Sequence, residues 1–297
     1  MTGRTDAISV FAPAKINLCL HVGEKRADGF HALQSLVAFA DIGDVLEFSP
    51  AETLELIVAG PFAETLREES DNLVLRAARL LAGHARCNAG ATITLTKNLP
   101  VASGIGGGSA DAAAALLGLA KLWQLNIARG ELAALAATLG SDVPVCLDSK
   151  PAWMEGRGER IAPAGPLPIM AMVLVNPGVA VATADVFRSL AKRRGTGTLD
   201  HTARLQSPGE LMTFLRTTGN DLEVPARALA PAIVQVLDEL ARMPGVELAR
   251  MSGSGATCFA LFEDGNSAEM AAIALSHSHP QWWVKATQTL NQPVRQA

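Results

Sequence analysis

Four glycines set directly before an alanine-rich segment constrain the fold of this chain more than any other feature. They are Gly104, Gly106, Gly107 and Gly108. The run at 91–97 alternates isoleucine and leucine with threonine, which is typical of a β-strand, and from Ser109 onward the helix propensity is strong. Glycine lets a backbone approach an anion closely and adopt positive φ, and the free amides of a first helical turn attract negative charge. We therefore predict a phosphate-binding loop here, rather than a flexible connection before a buried helix.

Two well-known phosphate loops do not match this spacing. A P-loop continues from its last glycine with lysine and then serine or threonine, whereas Gly108 is followed by Ser109 and Ala110. The dinucleotide-binding fingerprint G-x-G-x-x-G/A, begun at Gly104, reaches a serine at its last position. Its acidic residue should end a strand about 20 residues further on, but Glu131 at that distance opens a predicted helix. The loop therefore belongs to another class of phosphate site.

Length and composition describe a globular protein of about two domains. The chain has 297 residues, of which 49% are hydrophobic and 18% charged. A net charge of -4 gives no electrostatic reason to bind nucleic acid or an anionic membrane. The four cysteines are scattered without a C-x-x-C pair, and no apolar run is long enough to span a membrane. We expect a cytoplasmic protein with reduced cysteines and with neither nucleic acid nor membrane as a partner.

A glycine- and proline-rich stretch at 156–168 indicates a boundary between two domains. We therefore expect an N-terminal domain at 1–160 and a C-terminal domain at 161–297. Both segments mix strand patterns with helical patterns, without an internal repeat. The sequence therefore predicts an α+β fold.

Three local expectations can be compared directly with a structure. The alternation in 8–20 predicts one or two strands interrupted at Pro13. Asp142 follows a predicted helix at 128–139 and is expected at a helix-to-strand junction. Apolar spacing predicts one long helix at 226–243.

A lysine and an aspartate are the candidates for phosphoryl-transfer chemistry, which requires a cation to neutralise developing charge and a carboxylate to accept the proton of the attacking hydroxyl. Lys15 is the candidate cation, and it shares a predicted strand face with Asn17 after small residues that suit close packing. Asp142 is the candidate carboxylate, although an aspartate at a helix end is also typical of a turn. A nearby lysine would keep both groups charged and aligned. The residues alone leave both interpretations of Asp142 open.

Four motifs, present in one order, resemble those of the GHMP kinases, the superfamily of galactokinase, homoserine kinase and mevalonate kinase. They are Pro13-Ala14-Lys15-Ile16-Asn17-Leu18, the glycine loop, Gly140-Ser141-Asp142-Val143-Pro144 and Ser252-Gly253-Ser254-Gly255-Ala256. The family form of the last motif has serine or threonine at its first and third positions. The resemblance spans residues 12–256 and implies a two-domain GHMP kinase fold, with a ribosomal protein S5 domain 2-like N-terminal domain and a ferredoxin-like C-terminal domain.

The resemblance also implies ATP-dependent phosphorylation of an alcohol. Within the family the chain is most similar to the enzymes that phosphorylate the 2-hydroxyl of 4-diphosphocytidyl-2-C-methyl-D-erythritol, giving the 2-phosphate and ADP, in the non-mevalonate pathway to isoprenoid precursors. The similarity assigns Asp142 as the catalytic base, Lys15 as its partner and Asn17 as a contact to the methylerythritol. The residues implied in ATP binding are Asn72, Lys97, Pro100, Ala102, Gly104, Gly106, Gly107, Gly108 and Ser109. Ser109 would also lie near Mg²⁺.

A turn at 28–31 falls where these enzymes bind cytosine with an aromatic residue and a histidine. Phe30 and His31 are the counterparts here. The family more often has tyrosine before the histidine, and because this chain has no tyrosine, only ring packing remains at Phe30. Further substrate contacts are expected at Thr183, Gly253 and Gly255. The two glycines also fit a β-turn between strands, and both interpretations can hold together.

Two alternatives remain open at this point. Another GHMP enzyme, such as homoserine kinase or a mevalonate-pathway kinase, would not need the turn at 28–31. A nucleotide-binding sensor could keep the glycine loop after losing catalysis, but it would have no use for both Lys15 and Asp142. In each case the partner is a small molecule, and the protein is expected to be a monomer or a homodimer.

Overall fold

Two β-sheets, each with its own helices, make up the described part of the chain. The computed structural model describes residues 8–25, 29, 31–66, 72–190 and 198–290. A six-stranded sheet is built from residues up to 163, and a four-stranded sheet from residues 171–288. This is the α+β architecture that the sequence predicts.

The first sheet contains two long strands that bend. Its strands are β1 (Ile8–Lys25), β2 (His31–Ala51), β3 (Leu54–Ala59), β4 (Gly90–Thr96), β5 (Ala152–Gly156) and β6 (Arg160–Pro163). They are hydrogen-bonded in the order β3-β4-β2-β5-β6, and β1 pairs antiparallel with β2. The predicted interruption at Pro13 is a register shift inside a continuous strand. Gly43 of β2 permits it, because a β-carbon at Gly43 would lie 2.2 Å from the carbonyl oxygen of Ala12.

An alanine-rich helix runs through the middle of the first half of the fold. The helices here are α1 (Leu73–Ala85), α2 (Gly107–Leu122), α3 (Arg129–Leu139) and α4 (Val143–Asp148), and a short 3₁₀-helix at Glu64–Leu66 precedes α1. Small side chains let α2 lie close to the sheet: a β-carbon at Gly118 would come within 2.2 Å of Phe48 Cε2. Most of α2 is buried, so tertiary packing fixes the position of its first turn.

The second sheet is antiparallel and carries five helices in the described residues. Its strands are β7 (Ala171–Asn176), β8 (Val246–Met251), β9 (Cys258–Phe262) and β10 (Trp283–Gln288), in the order β10-β7-β9-β8. The helices are α5 (Thr183–Ser189), α6 (Pro208–Arg216), α7 (Glu223–Leu229), α8 (Ala232–Ala241) and α9 (Gly265–Ser278). Buried apolar residues of α8 and α9, such as Ile233 and Leu275, share one core cluster with Ala260 of β9.

The two sheets are joined by a shared apolar core. Ile16 of β1 and Leu36 of β2 belong to one cluster with Leu174 of β7 and Phe259 of β9, and all four side chains are fully buried. Polar contacts cross the same junction, since the buried guanidinium of Arg250 donates to the carbonyl oxygen of Leu18 at 2.7 Å. The two walls of the cleft described below therefore hold a defined relation to each other.

Two local predictions are wrong, and proline explains both. Asp142 lies between two helices, α3 and α4, rather than before a strand, because Pro144 stands in the first turn of α4 where proline favours a helix start. The predicted helix at 226–243 is two helices, because Ala230 precedes Pro231 and a residue before proline is disfavoured in the α conformation. Within the described ranges, no helix has both the length and the apolar character needed to cross a membrane.

Candidate active site

A cleft of about 920 Å³ opens where the two sheets meet. Residues of β1 and β2, the glycine loop and α5 line it, together with the turn that follows β8. Its volume lies within the range of about 300–1,000 Å³ that is typical of small-molecule sites. Most of the candidate catalytic and binding residues from the sequence line this cleft.

The glycine loop forms one end of the cleft and leads directly into α2. Gly104 and Gly106 have φ values of 79° and 65°, the left-handed conformation that favours glycine. Gly106 is the N-cap of α2, so the helix begins at Gly107, two residues before the predicted start at Ser109. Gly107, Gly108 and Ser109 therefore form the first helical turn and line the cleft, where their amides lack helical carbonyl partners. This is the arrangement that binds anions at a helix N-terminus.

The two candidate catalytic residues form an ion pair beside this loop. Lys15 Nζ lies 2.7 Å from Asp142 Oδ2, although the residues are 127 positions apart in the sequence. The lysine side chain is 4% exposed and the aspartate side chain is 37% exposed, so the carboxylate reaches the open cleft. The backbone amide of Lys15 donates to the carbonyl oxygen of Ile105 at 2.9 Å, which ties β1 to the glycine loop. A carboxylate that is oriented by a buried ammonium, next to an anion-binding helix start, suits phosphoryl transfer.

A second, fully buried charge network lies beneath the loop. Lys97 Nζ is 2.5 Å from Asp44 Oδ2 and 2.6 Å from Asp111 Oδ2. Asp44 Oδ1 accepts the amides of Asn98 and Leu99, so this carboxylate also holds the chain where it leaves β4 for the glycine loop. Asp111 lines the same cleft, and its buried Oδ1 has no hydrogen-bond partner among the described residues. A β-carbon at Gly107 would lie 3.1 Å from Lys97 Nζ, so the network supports the loop from below.

Burial sets the protonation behaviour of this region. It raises the pKa of Asp111 to about 8, against the opposing effect of Lys97, and the neighbouring charge of Asp44 adds to the rise. Burial alone would lower the pKa of Lys97, but the Asp111 and Asp44 carboxylates outweigh it and raise that pKa. The pKa of the Cys146 thiol is also raised, by burial and then by Asp142, so the thiol is held in its neutral form. The ammonium of Lys97 is therefore a permanent charge beneath the loop.

The cleft also carries polar groups from β1 and β2. Asn17 Nδ2 donates to Ser35 Oγ at 2.8 Å, and Ser35 Oγ donates to the carbonyl oxygen of Cys19. Asn17 Oδ1 is buried and has no partner in the described part of the chain. The hydroxyl groups of Thr183 and Ser254 lie 2.8 Å apart, and both residues line the cleft. These groups can bind hydroxyl or phosphate oxygens of a ligand.

Two aromatic rings also line the cleft. The centroids of His31 and Phe187 are 5.9 Å apart and the ring planes are inclined by 25°. His31 Nδ1 lies 3.1 Å from the carbonyl oxygen of Gly23, and because a carbonyl can only accept, Nδ1 must donate. In the neutral ring Nε2 is then an acceptor. A planar ligand could stack on these rings and present a donor to Nε2.

Most residues predicted from the sequence line this one cleft. They are Lys15, Asn17, His31, Asn72, Lys97, Pro100, Ala102, Gly104, Gly106, Gly107, Gly108, Ser109, Asp142, Thr183 and Gly253. Gly255 does not line it, because its α-carbon faces Met251, whose Sδ would be 2.7 Å from an added β-carbon. Asn72 also caps α1, accepting the amide of Val74 at 2.8 Å. Phe30 lies outside the described residues.

Sequence reasoning missed three residues of the cleft region. Phe187 lies within α5, and nothing in the sequence around it distinguishes it from a core residue. Asp44 is 53 positions from Lys97, so no local pattern links the two. Asp111 did give a signal: it is an acidic residue inside an alanine-rich helix that is buried on most sides, and such a group requires a buried partner.

Comparison with known proteins gives matches over the whole chain. The family GHMP kinases N terminal domain matches residues 72–150, and GHMP kinases C terminal matches residues 200–279. A protein of Cereibacter sphaeroides named 4-diphosphocytidyl-2-C-methyl-D-erythritol kinase is 52% identical over 276 residues, which are 93% of this chain and 96% of that protein. A protein of Ruegeria pomeroyi with the same name is 53% identical over 279 residues, which are 93% of this chain and 97% of that protein.

Two solved structures resemble the fold. A crystal structure of 4-(cytidine 5'-diphospho)-2C-methyl-D-erythritol kinase has a TM-score of 0.80 and 35% identity, and the match covers 95% of this chain and 99% of that one. A homoserine kinase from Cytophaga hutchinsonii has a TM-score of 0.74, with coverage of 100% of this chain and 99% of that one. The homoserine kinase is 19% identical, so this second likeness concerns the fold alone.

Proposed function

The chain belongs to the GHMP kinase family, and we propose that it transfers the γ-phosphoryl group of ATP to the 2-hydroxyl of 4-diphosphocytidyl-2-C-methyl-D-erythritol. The products are the 2-phosphate and ADP, and the step belongs to the non-mevalonate route to isoprenoid precursors. The relatives at 52% and 53% identity carry the name of this kinase and match nearly their whole length. The protein is therefore a kinase that acts on a small-molecule alcohol.

One observation supports catalysis most directly: the Lys15–Asp142 pair beside the start of α2, with Nζ and Oδ2 2.7 Å apart. Asp142 accepts the proton of the substrate hydroxyl as the new oxygen–phosphorus bond develops, because a free alcohol is too weak an acid to ionise beforehand. Lys15 orients this carboxylate and offsets negative charge on the phosphoryl group during its transfer. A sensor without activity would gain nothing from this pairing of a buried ammonium with a carboxylate that faces the cleft.

The nucleotide occupies the glycine-loop end of the cleft. The amides of Gly107, Gly108 and Ser109 bind phosphate oxygens, and the absence of side chains on the two glycines permits close approach. Lys97 contributes its buried positive charge beneath the loop. Asn72 lines the same end, at the N-terminus of α1.

The residues at this end also suit Mg²⁺. Mg²⁺ usually takes one or two protein oxygens and completes its shell with substrate phosphates and water. Ser109 and Asp111 would provide these oxygens, since both line the cleft and Asp111 Oδ1 has no partner among the described residues. When bound, the ion neutralises charge on the transferring phosphoryl group.

The cytidine of the substrate occupies the ring pair. Phe187 offers an aromatic face for stacking, and His31 Nε2 accepts a hydrogen bond when Nδ1 donates to Gly23. Cytosine presents an amino donor where uracil presents a carbonyl acceptor, so an acceptor at Nε2 favours cytosine. Asn17 and Thr183 then face the part of the substrate nearer to Asp142.

ATP consumption with a panel of acceptors tests this function. The acceptors are the cytidine diphosphate substrate, its uridine counterpart, homoserine and mevalonate, each with ATP and Mg²⁺. We expect turnover with the cytidine compound and background rates with homoserine and mevalonate. For the uridine compound we expect kcat/KM to be lower by at least about tenfold, which corresponds to about 1.4 kcal/mol. Turnover of homoserine or mevalonate in preference to the cytidine compound would refute the proposal.

A further inference from the structure

Three chain segments that are distant in sequence meet behind the reacting end of the cleft. They are β1 near Asn17, the glycine loop at Gly104, and residues 252–257 between β8 and β9, which we call the Ser252 turn. The first segment faces the acceptor alcohol in the proposed function, and the second faces the nucleotide. The Ser252 turn touches both.

The glycine loop and the Ser252 turn pack backbone against backbone. A β-carbon at Gly104 would lie 2.5 Å from the carbonyl oxygen of Ser252, and one at Gly253 would lie 2.7 Å from the carbonyl oxygen of Gly104. Both glycines have positive φ, so their identity is fixed by conformation as well as by space. The amide of Thr257 also donates to the carbonyl oxygen of Ser103 at 3.0 Å. A shift of one segment must therefore move the other.

A single hydroxyl group bridges all three segments. Ser252 Oγ accepts the backbone amide of Asn17 at 3.1 Å and donates to the carbonyl oxygen of Gly104 at 3.1 Å. Ser252 has no exposed surface, so solvent does not reach these groups. Without the hydroxyl, a buried amide on β1 and a carbonyl on the glycine loop would both lose this partner.

The turn itself is held from outside the cleft. Asn220 Nδ2 donates to the carbonyl oxygens of Met251 and Gly253, each at 2.8 Å. Asn220 therefore holds the conformation of the turn that presents Ser252. A buried hydroxyl that is hydrogen-bonded to both binding segments can transmit a displacement of one to the other.

We propose that Ser252 is a positioning residue that couples the nucleotide site to the acceptor site, so that binding of either ligand strengthens binding of the other. The inference rests on the proposed function, because it takes the acceptor to lie against Asn17. An ATP phosphate that draws the glycine loop into place also places β1, through the hydroxyl, in the position that the acceptor requires. By thermodynamic linkage the acceptor must strengthen nucleotide binding by the same factor.

Calorimetric titration with AMP-PNP, which cannot transfer its phosphoryl group, measures this coupling without turnover. Its Kd is determined with Mg²⁺, in the absence and in the presence of saturating 4-diphosphocytidyl-methylerythritol. We expect the acceptor to lower the wild-type Kd by about fivefold or more, as coupled sites typically do. In Ser252→Ala the ratio should fall to within about twofold of one, whereas Ser252→Thr, which retains the hydroxyl, should keep most of it.

Ser149→Ala is the matched control for loss of a buried serine. Its hydroxyl donates to the carbonyl oxygen of Cys146 at 2.9 Å, at the end of α4. It should keep the wild-type coupling and turnover, and melting curves of all variants identify loss of folding. If Ser252→Ala is too unstable, Ser252→Cys, which keeps the size but weakens the hydrogen bonds, takes its place.

The outcomes separate the inference from the proposed function. Wild-type coupling that persists in the Ser252→Ala or Ser252→Cys variant, or an acceptor that leaves the wild-type Kd unchanged, overturns the inference while turnover by the wild type still supports the kinase. A wild type that neither binds nor phosphorylates the cytidine compound refutes the function, and the inference with it. Coupling lost in Ser252→Ala and kept in Ser252→Thr and Ser149→Ala supports both.

Discussion

Replacing Lys97 by methionine tests whether the buried charge network supports the glycine loop. The side chains of Lys97, Asp44 and Asp111 are 3%, 0% and 4% exposed, so the variant leaves two carboxylates without a cation and out of reach of solvent. Asp44 keeps two amide donors, but Asp111 loses the Lys97 ammonium that donates to its Oδ2. Removal of one partner from a buried ion pair typically costs about 3–5 kcal/mol. We expect Lys97→Met to lower Tm by on the order of 10 °C.

Thermal unfolding followed by far-ultraviolet circular dichroism measures this loss, with Arg129→Met as the matched control. The Arg129–Asp148 pair is largely exposed, at 44% and 63%, so its removal should change stability by less than about 1 kcal/mol. Adding Asp111→Asn to Lys97→Met should recover part of the Tm, because it replaces a buried carboxyl group that has lost its Lys97 partner. A Lys97→Met variant that melts with the control, or no recovery in the double variant, would refute this account of the network.

Three further substitutions test the catalytic pair, the loop and the ring pair. Asp142→Asn should lower kcat by about 10²–10⁴-fold with nearly unchanged affinity for AMP-PNP, because the proton acceptor is lost; turnover above half the wild-type value contradicts the role. Gly106→Ala introduces a β-carbon 3.2 Å from Lys15 Cβ at a φ of 65°. We therefore expect kcat to fall about tenfold and the free energy of unfolding to fall by about 1–3 kcal/mol. Gly130→Ala is the control and should leave both unchanged, because its β-carbon would meet no atom within 4 Å. Phe187→Ala should raise KM for the cytidine compound about tenfold and KM for ATP less than twofold, since base stacking contributes about 1–3 kcal/mol; equal shifts of the two constants would assign Phe187 to the fold.

Local patterns in the sequence predict those features whose cause is local. The glycine loop and the strand before it are recognisable because positive φ, helix propensity and strand alternation are properties of short segments. The helix boundary at Pro231 also had a local cause, and the apolar spacing on both sides obscured it. The helical start at Pro144 was missed for the opposite reason, since α4 has six residues and too few turns to show a period.

Contacts between distant segments could not be predicted from such patterns. Lys15 and Asp142 are 127 positions apart, and Asn17 and Ser252 are 235 apart, so the motifs that carry them give no distance between them. Resemblance to a family brought the first pair together, because it supplies a fold in which the motifs meet. The Lys97 network had no such support, and it became evident from burial: two carboxylates inside an apolar core require a shared cation.

The bend in β1 links the fold to the chemistry. The register shift after Pro13 is possible because Gly43 leaves room for the carbonyl group of Ala12, and it determines that Lys15 is aligned with Phe39 of β2. From that position the amide of Lys15 reaches the glycine loop and its ammonium reaches Asp142, while two residues later Asn17 lines the same cleft. One strand therefore carries contacts to the nucleotide loop, the proposed base and the proposed acceptor site. Ser252 is bonded to this strand at Asn17 and to the glycine loop at Gly104, so its hydroxyl lies where the two segments can be held together.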